Sequence, residues 1–264
     1  MSDPIQTLAE LPGVPEALTQ ARDAVDSLLW DRTARRRGRA LSAESTLLGA
    51  WADAAFEGAE VPQATLRAGA VEDSPVGRTA ARTLAMYAEL PALTDLLTTA
   101  PLQALARLHA IVAVGSCDPV GRPRTADEVA DPLRTKTAVQ ARTAAQRLGA
   151  LADLLTTPTT APALALAAVV HGELAATQPF EWGSGLIARA STRWVMRATG
   201  LDPDGWSIPE AGIRQYGRPK YVTALRGYAG GSPEGVAQWL IVHAGWVAAG
   251  ATAGAELVPD LPDD

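Results

Sequence analysis

One cysteine, Cys117, serves 264 residues, so no disulfide can form within the chain, and neither a CxxC redox centre nor a cysteine-based zinc site can be built. A lone thiol of this kind fits a reducing compartment, and a cytoplasmic protein is the expectation. Lysine is nearly missing as well: Lys136 and Lys220 are the only two, the remaining basic residues are arginines, and the net charge is −6. Such a chain repels phosphate backbones, which argues against nucleic acid as a partner. The one basic cluster, Arg35-Arg36-Arg37-Gly38-Arg39, reads as a helix end, where positive charge suits the exposed carbonyls. No basic segment followed by an apolar run stands behind Met1-Ser2-Asp3-Pro4, so export is not expected. The longest apolar stretch, Ala161 to Val170 with its continuation to Ala176, falls short of the roughly 20 residues of a bilayer span and reads as a core helix.

Strand patterning is also scarce. Apolar residues recur at helical spacing almost throughout, and no long stretch alternates as a half-buried strand does, so the expected class is all-α. The spacing predicts helices over Pro15–Arg37, Ala43–Phe56, Val76–Leu90, Leu102–Val114, Val139–Leu155, Ala163–Thr177, Leu186–Thr199 and Pro233–Gly250. Gly115 to Leu133 is rich in Gly, Pro and Asp and cannot continue a helix, whereas Arg134 to Val139 has the residue types of a short strand. The expected organisation is a helical region over 1–114, a connector over 115–138 that could form a β-hairpin flap, and a core over 139–264, all in one compact unit.

The segment Ala163 to Thr177 is apolar around almost its whole circumference and therefore belongs at the centre. It leads into Gln178-Pro179-Phe180-Glu181-Trp182-Gly183-Ser184-Gly185, a non-helical turn, after which a new helix begins. Unpaired N–H groups at such a helix start, together with the dipole, make a ready site for an anion.

From Gln178 to Arg189 the chain resembles the Fic motif, H-x-F-x-D/E-G-N-G-R-x-x-R. Pro179, Phe180, Gly183, Gly185 and Arg189 stand where that family has them. Lys220 to Leu225 and Trp239-Leu240 look like its C-terminal helices. Upstream, Asp53-Ala54-Ala55-Phe56-Glu57-Gly58 resembles the family's inhibitory helix, Ser/Thr-x-x-x-Glu-Gly/Asn, with Asp53 in place of the hydroxyl residue. The resemblance implies an all-α Fic-type bundle, ATP with magnesium as ligands, AMP transfer, and a buried pair between Glu57 and Arg189.

The departures work against that activity. In the family a histidine takes the proton of the target hydroxyl, an acid holds magnesium, an asparagine contacts phosphate and an arginine steadies the triphosphate. Here those positions carry Gln178, Trp182, Ser184 and Leu186. An amide cannot act as a general base, a loss worth ~10²–10⁴ in rate. Tryptophan offers no oxygen to a hard cation, and leucine brings no charge to the phosphates. Glu181 and Ser184 are the only nearby substitutes, and no cluster of His and Cys suggests a metal. His171 has the place of a packing histidine, and His109 and His243 lie in apolar helical contexts.

The sequence therefore points to a Fic-like scaffold without an intact catalytic residue or a firm cofactor, acting as a binding or regulatory module on a protein partner of unknown identity, with neither nucleic acid nor membrane as its target. The alternative is a Fic-fold transferase with altered nucleotidyl, phosphoryl or other group-transfer chemistry. If the motif match were accidental, the chain would be an unrelated bundle, and the backbone would lack the order of central helix, loop and helix.

Overall fold

The computed structural model describes residues 3–264. Its helices, in chain order, are α1 (Pro4–Ala9), α2 (Val14–Trp30), α3 (Arg32–Arg36), α4 (Gly38–Phe56), α5 (Gln63–Arg67), α6 (Pro75–Glu89), α7 (Leu96–Thr99), α8 (Pro101–Ala113), α9 (Ala141–Thr156), α10 (Ala163–Thr177), α11 (Ser184–Ala198), α12 (Pro209–Tyr216), α13 (Arg218–Gly230) and α14 (Pro233–Leu257). The class is all-α, as the apolar spacing required.

Local chemistry explains where the helices stop. The single helix expected over Pro15–Arg37 is cut at Asp31, whose backbone is extended and whose carboxylate accepts the Ala34 N–H (2.7 Å), so that one residue ends α2 and caps α3. The arginine cluster does not simply trail into solvent. Arg37 donates to Asp263 (2.7 Å) and to the Val258 carbonyl (2.5 Å), while the Asp264 carboxylate accepts the N–H groups of Arg39 (2.7 Å) and Ala40 (3.2 Å). The C-terminal tail thus supplies the N-cap that α4 lacks in its own sequence.

Helix α10 is the axis of the molecule, packed by α9, α11, α13 and α14. Leu164, Ala165, Leu166 and Ala167, successive residues about 100° apart, point to different sides of it and all are buried. Removing each large aliphatic group of this kind from water contributes at most roughly 1.5–3 kcal/mol. One continuous core runs from Ile5 to Ala251 through these contacts. Helix α14, with the turn after it, is long and apolar enough by length and composition to cross a bilayer. That length was missed in the sequence, where the helix was expected to end at Gly250. In the fold it packs on α2, α12 and α13, and its apolar face, including Trp239, Trp246 and Val247, is buried inside the protein.

The connector forms no hairpin. Among the described residues it holds only an isolated bridge between Val114 and Cys117, and 118–140 run as irregular chain. The strand expected over Arg134–Val139 fails for two reasons. Arg134 (φ 53°) and Lys136 (φ 56°) adopt left-handed backbone, which no strand tolerates. The Asp131 carboxylate also captures the N–H groups of Thr135 (3.0 Å) and Lys136 (2.9 Å), leaving them unable to join a ladder.

Candidate functional site

Two backbone features build the loop between α10 and α11. Gln178 ends α10 in the left-handed region (φ 47°, ψ 66°), an unusual conformation for a side chain other than Gly, Asn or Asp. Gly183 then caps α11 with φ 79°, where glycine is free of strain. At the start of α11 Ser184 Oγ accepts the Phe180 N–H (3.0 Å) and donates to the Phe180 carbonyl (3.1 Å), closing the turn on itself. Phe180 stacks flat on His109 of α8, with ring centres 4.2 Å apart.

His109 touches the only thiol, Nε2 lying 3.7 Å from Cys117 Sγ, but the pair is not a nucleophile and its base. His109 Nδ1 accepts the Gly121 N–H (2.7 Å), which assigns the ring proton to Nε2, the atom facing sulfur. Burial also lowers the imidazole pKa to about 4, only partly offset by a contact with the Trp182 backbone. Burial, followed by the charges of Glu181 and Asp118, pushes the thiol up. The contact is packing.

Arg189 sits one helical turn further into α11 with its guanidinium fully enclosed. Its Nε–H donates to Asp53 and its Nη2–H to Glu57 (2.6 Å), carboxylates four residues apart in the last turn and at the C-cap of α4 and so on one side. Tyr87 Oη donates to the other Asp53 oxygen (2.9 Å), and the rings of Phe56 and Tyr221 stand 5.4 and 5.9 Å from the guanidinium carbon. Two carboxylates against one cation leave excess negative charge in an apolar setting. Burial raises the Asp53 pKa to about 7 against the opposing pull of Arg189, with Glu57 and Glu210 adding to the rise. One turn along α11, Arg193 pairs with Glu210 (3.0 Å) and donates to the Ser45 carbonyl (2.7 Å), so two arginines of α11 hold α4 in place.

Each motif residue has a definite position. Gln178 is buried and donates Nε2–H to Thr135 Oγ1 of the connector (2.9 Å). Leu186 is wholly buried, Trp182 packs partly exposed against the core, Glu181 faces solvent and Pro179 is buried. Ser184, with its hydroxyl committed to Phe180, is not free for a phosphate, and Glu181 does not turn inward. At Gly185 a Cβ would lie 2.1 Å from Glu57 Oε1, so only glycine admits that carboxylate over the first turn of α11. His171 is fully buried, bonded to Tyr221 Oη (2.9 Å) and to Thr192, which also reaches His243 (3.1 Å). Burial first, then His243 and Arg189, keeps it neutral, and its role is structural.

What remains at the loop is a cavity of about 20 Å³ bordered by Glu57, Thr135, Gln178, Gly185, Arg189 and Tyr221 among others. A nucleotide triphosphate cannot enter that space. Nor do the side chains present suit magnesium, since Trp182 offers an indole with no oxygen and the nearby carboxylates of Asp53 and Glu57 are bonded to Arg189. The residues present do not fit ATP with a divalent ion.

Sequence reasoning missed three participants. Asp53 is a second carboxylate on Arg189 rather than a mere departure from a pattern. Thr135 is the partner of Gln178. Arg124, buried in the connector, donates to the carbonyls of Gln178 (2.8 Å), Ala126 (2.8 Å), Asp127 (3.2 Å) and Val139, and reaches Thr177 (3.5 Å), stapling the connector onto the open end of α10. The connector backbone bonds the loop directly as well, from Arg124 N–H to the Pro179 carbonyl and from Ala130 N–H to the Glu181 carbonyl, each 2.9 Å. Only the i, i+4 spacing of Asp53 and Glu57 was a visible signal.

A buried central helix, a glycine-bearing loop, a following helix and an earlier helix reaching back to the loop's last arginine together define the Fic fold. Solved structures agree. The chain superposes on Fic-1 from C. elegans with a TM-score of 0.69 at 20% identity, covering 93% of this chain and 73% of that one. For a Fic domain containing signaling protein from Bacteroides thetaiotaomicron the values are 0.68 and 14%, with 94% of this chain and 100% of the other covered. For a Fic family protein from Desulfovibrio desulfuricans they are 0.65 and 16%, with 91% and 74% covered. At these identities the likeness is one of fold. No family model matches the sequence, and no curated protein matches it.

Proposed function

We propose that this Fic-fold protein does not transfer AMP and acts instead as a binding or regulatory module for a protein partner. The observation that carries the reading is the filled cleft: about 20 Å³ remains where the fold's loop faces α4, with Arg189 held by Glu57 and Asp53 and the connector closed over Gln178. The side chains support it independently. Gln178 does not titrate near neutrality, Trp182 offers no ligand for a hard cation, and Leu186 is buried without charge.

The test is direct. Pure protein incubated with labelled ATP, magnesium and candidate target proteins is expected to give no saturable transfer of label, and nucleotides or phosphorylated compounds are expected to leave Tm unchanged. Robust transfer ends the proposal. A ligand-dependent rise in Tm favours the altered group-transfer reading instead.

A further inference from the structure

Two of the residues that border the small cavity carry a buried polar atom with no hydrogen-bonding partner among the described residues, Gln178 Oε1 and Arg189 Nη1. Both residues are almost completely buried. The amide orientation follows from its neighbours: Thr135 Oγ1 lies 3.2 Å from both oxygens of Asp131, which only accept, so the Thr135 proton goes to Asp131 and its lone pair takes the Gln178 Nε2–H. Oε1 must then face the other way. The guanidinium is likewise fixed, since Nε and Nη2 are committed to Asp53 and Glu57, leaving the Nη1 hydrogens without an acceptor.

The residues that carry this acceptor and this donor border one space of about 20 Å³. That is the room of a single water, which needs roughly 10–15 Å³ and two to four polar partners. A phosphate is too large for it, and a halide would meet two repelling oxygens, Gln178 Oε1 and Glu57 Oε1. We infer that the cavity binds one resident water, accepting from Arg189 Nη1 and donating to Gln178 Oε1. The water completes a chain from the connector (Asp131, Thr135) through Gln178 to Arg189 and so to α4. Gln178 is therefore a positioning residue that joins the closed connector to the Arg189 clamp, whether or not the protein transfers any group.

High-resolution crystal structures of the full chain and of Gln178→Met test this. The expected result is one peak refining as water at ~2.7–3.2 Å from both atoms in the natural protein, lost in the Met variant while the Arg189–Glu57 pair stays. An empty cavity, a direct bond between Oε1 and Nη1, an anomalous peak there after a bromide soak, or a full-occupancy peak retained in the Met variant overturns the inference. Should the variant fail to fold, the natural protein's map decides alone. Transfer of label from ATP bears on the proposed function and leaves this result untouched.

Discussion

Replacing Asp53 with Asn should cost little at neutral pH and should flatten the protein's stability against pH. The carboxyl is raised from an ordinary 3.8 to about 7, chiefly by burial. The folded state therefore holds a proton on Asp53 between those values that the unfolded chain has released. The resulting stabilisation is complete below pH 3.8 and is lost as pH rises through 7. At about 1.36 kcal/mol per pH unit the whole interval is worth about 4 kcal/mol, of which about 2 kcal/mol falls between pH 5 and pH 7. Asn has the same shape, and its oxygen can accept the Arg189 Nε–H while its NH₂ donates to Tyr87 Oη, as the protonated acid would. Urea unfolding followed by tryptophan fluorescence at pH 5, 6, 7 and 8, on both proteins, isolates the effect as a difference and cancels the other carboxylates. The natural protein should lose about 2.5 kcal/mol relative to D53N from pH 5 to pH 8, most of it below pH 7. A difference that is flat, or that grows in favour of the natural protein with rising pH, would mean that Asp53 is ionised throughout and would refute the reasoning.

Removing the cation is a harsher perturbation. Arg189→Leu leaves two carboxylates buried without a partner, a loss of roughly 3–5 kcal/mol, which for a chain of this size lowers Tm by about 6–20 °C. A calorimetric drop under about 3 °C would contradict the buried clamp. Arg124→Ala strips the donor from the carbonyls that tie the connector to α10, at about 2–4 kcal/mol. Amide hydrogen exchange should rise across 125–140 and remain slow in α10 itself, and unchanged exchange in the connector would show that Arg124 is not its anchor.

The Fic fold was legible because its axis is local chemistry: α10 is apolar on every side and could only be central, while the glycines and arginine after it hold a recognisable spacing. What Gln178, Trp182 and Leu186 cannot supply was equally open, because residue identity settles that an amide does not titrate near neutrality, an indole does not hold a hard cation and a leucine carries no charge. Where the connector would lie was not. Arg134 to Val139 has strand-like residues, yet Asp131 takes its N–H groups and Arg124 and Arg226 hold its carbonyls, the latter bonding Arg134 and Thr135.

The sequence by itself determined the helical class, the buried centre and the chemical poverty of the loop, since periodicity and side-chain identity are properties of single residues and their near neighbours. The tertiary structure alone decided that Asp53 joins Glu57 on Arg189, that Thr135 meets Gln178 and that the cleft shrinks to the size of one water. Those outcomes depend on groups 43 to 136 residues apart being forced together by packing, and no local pattern encodes such distances.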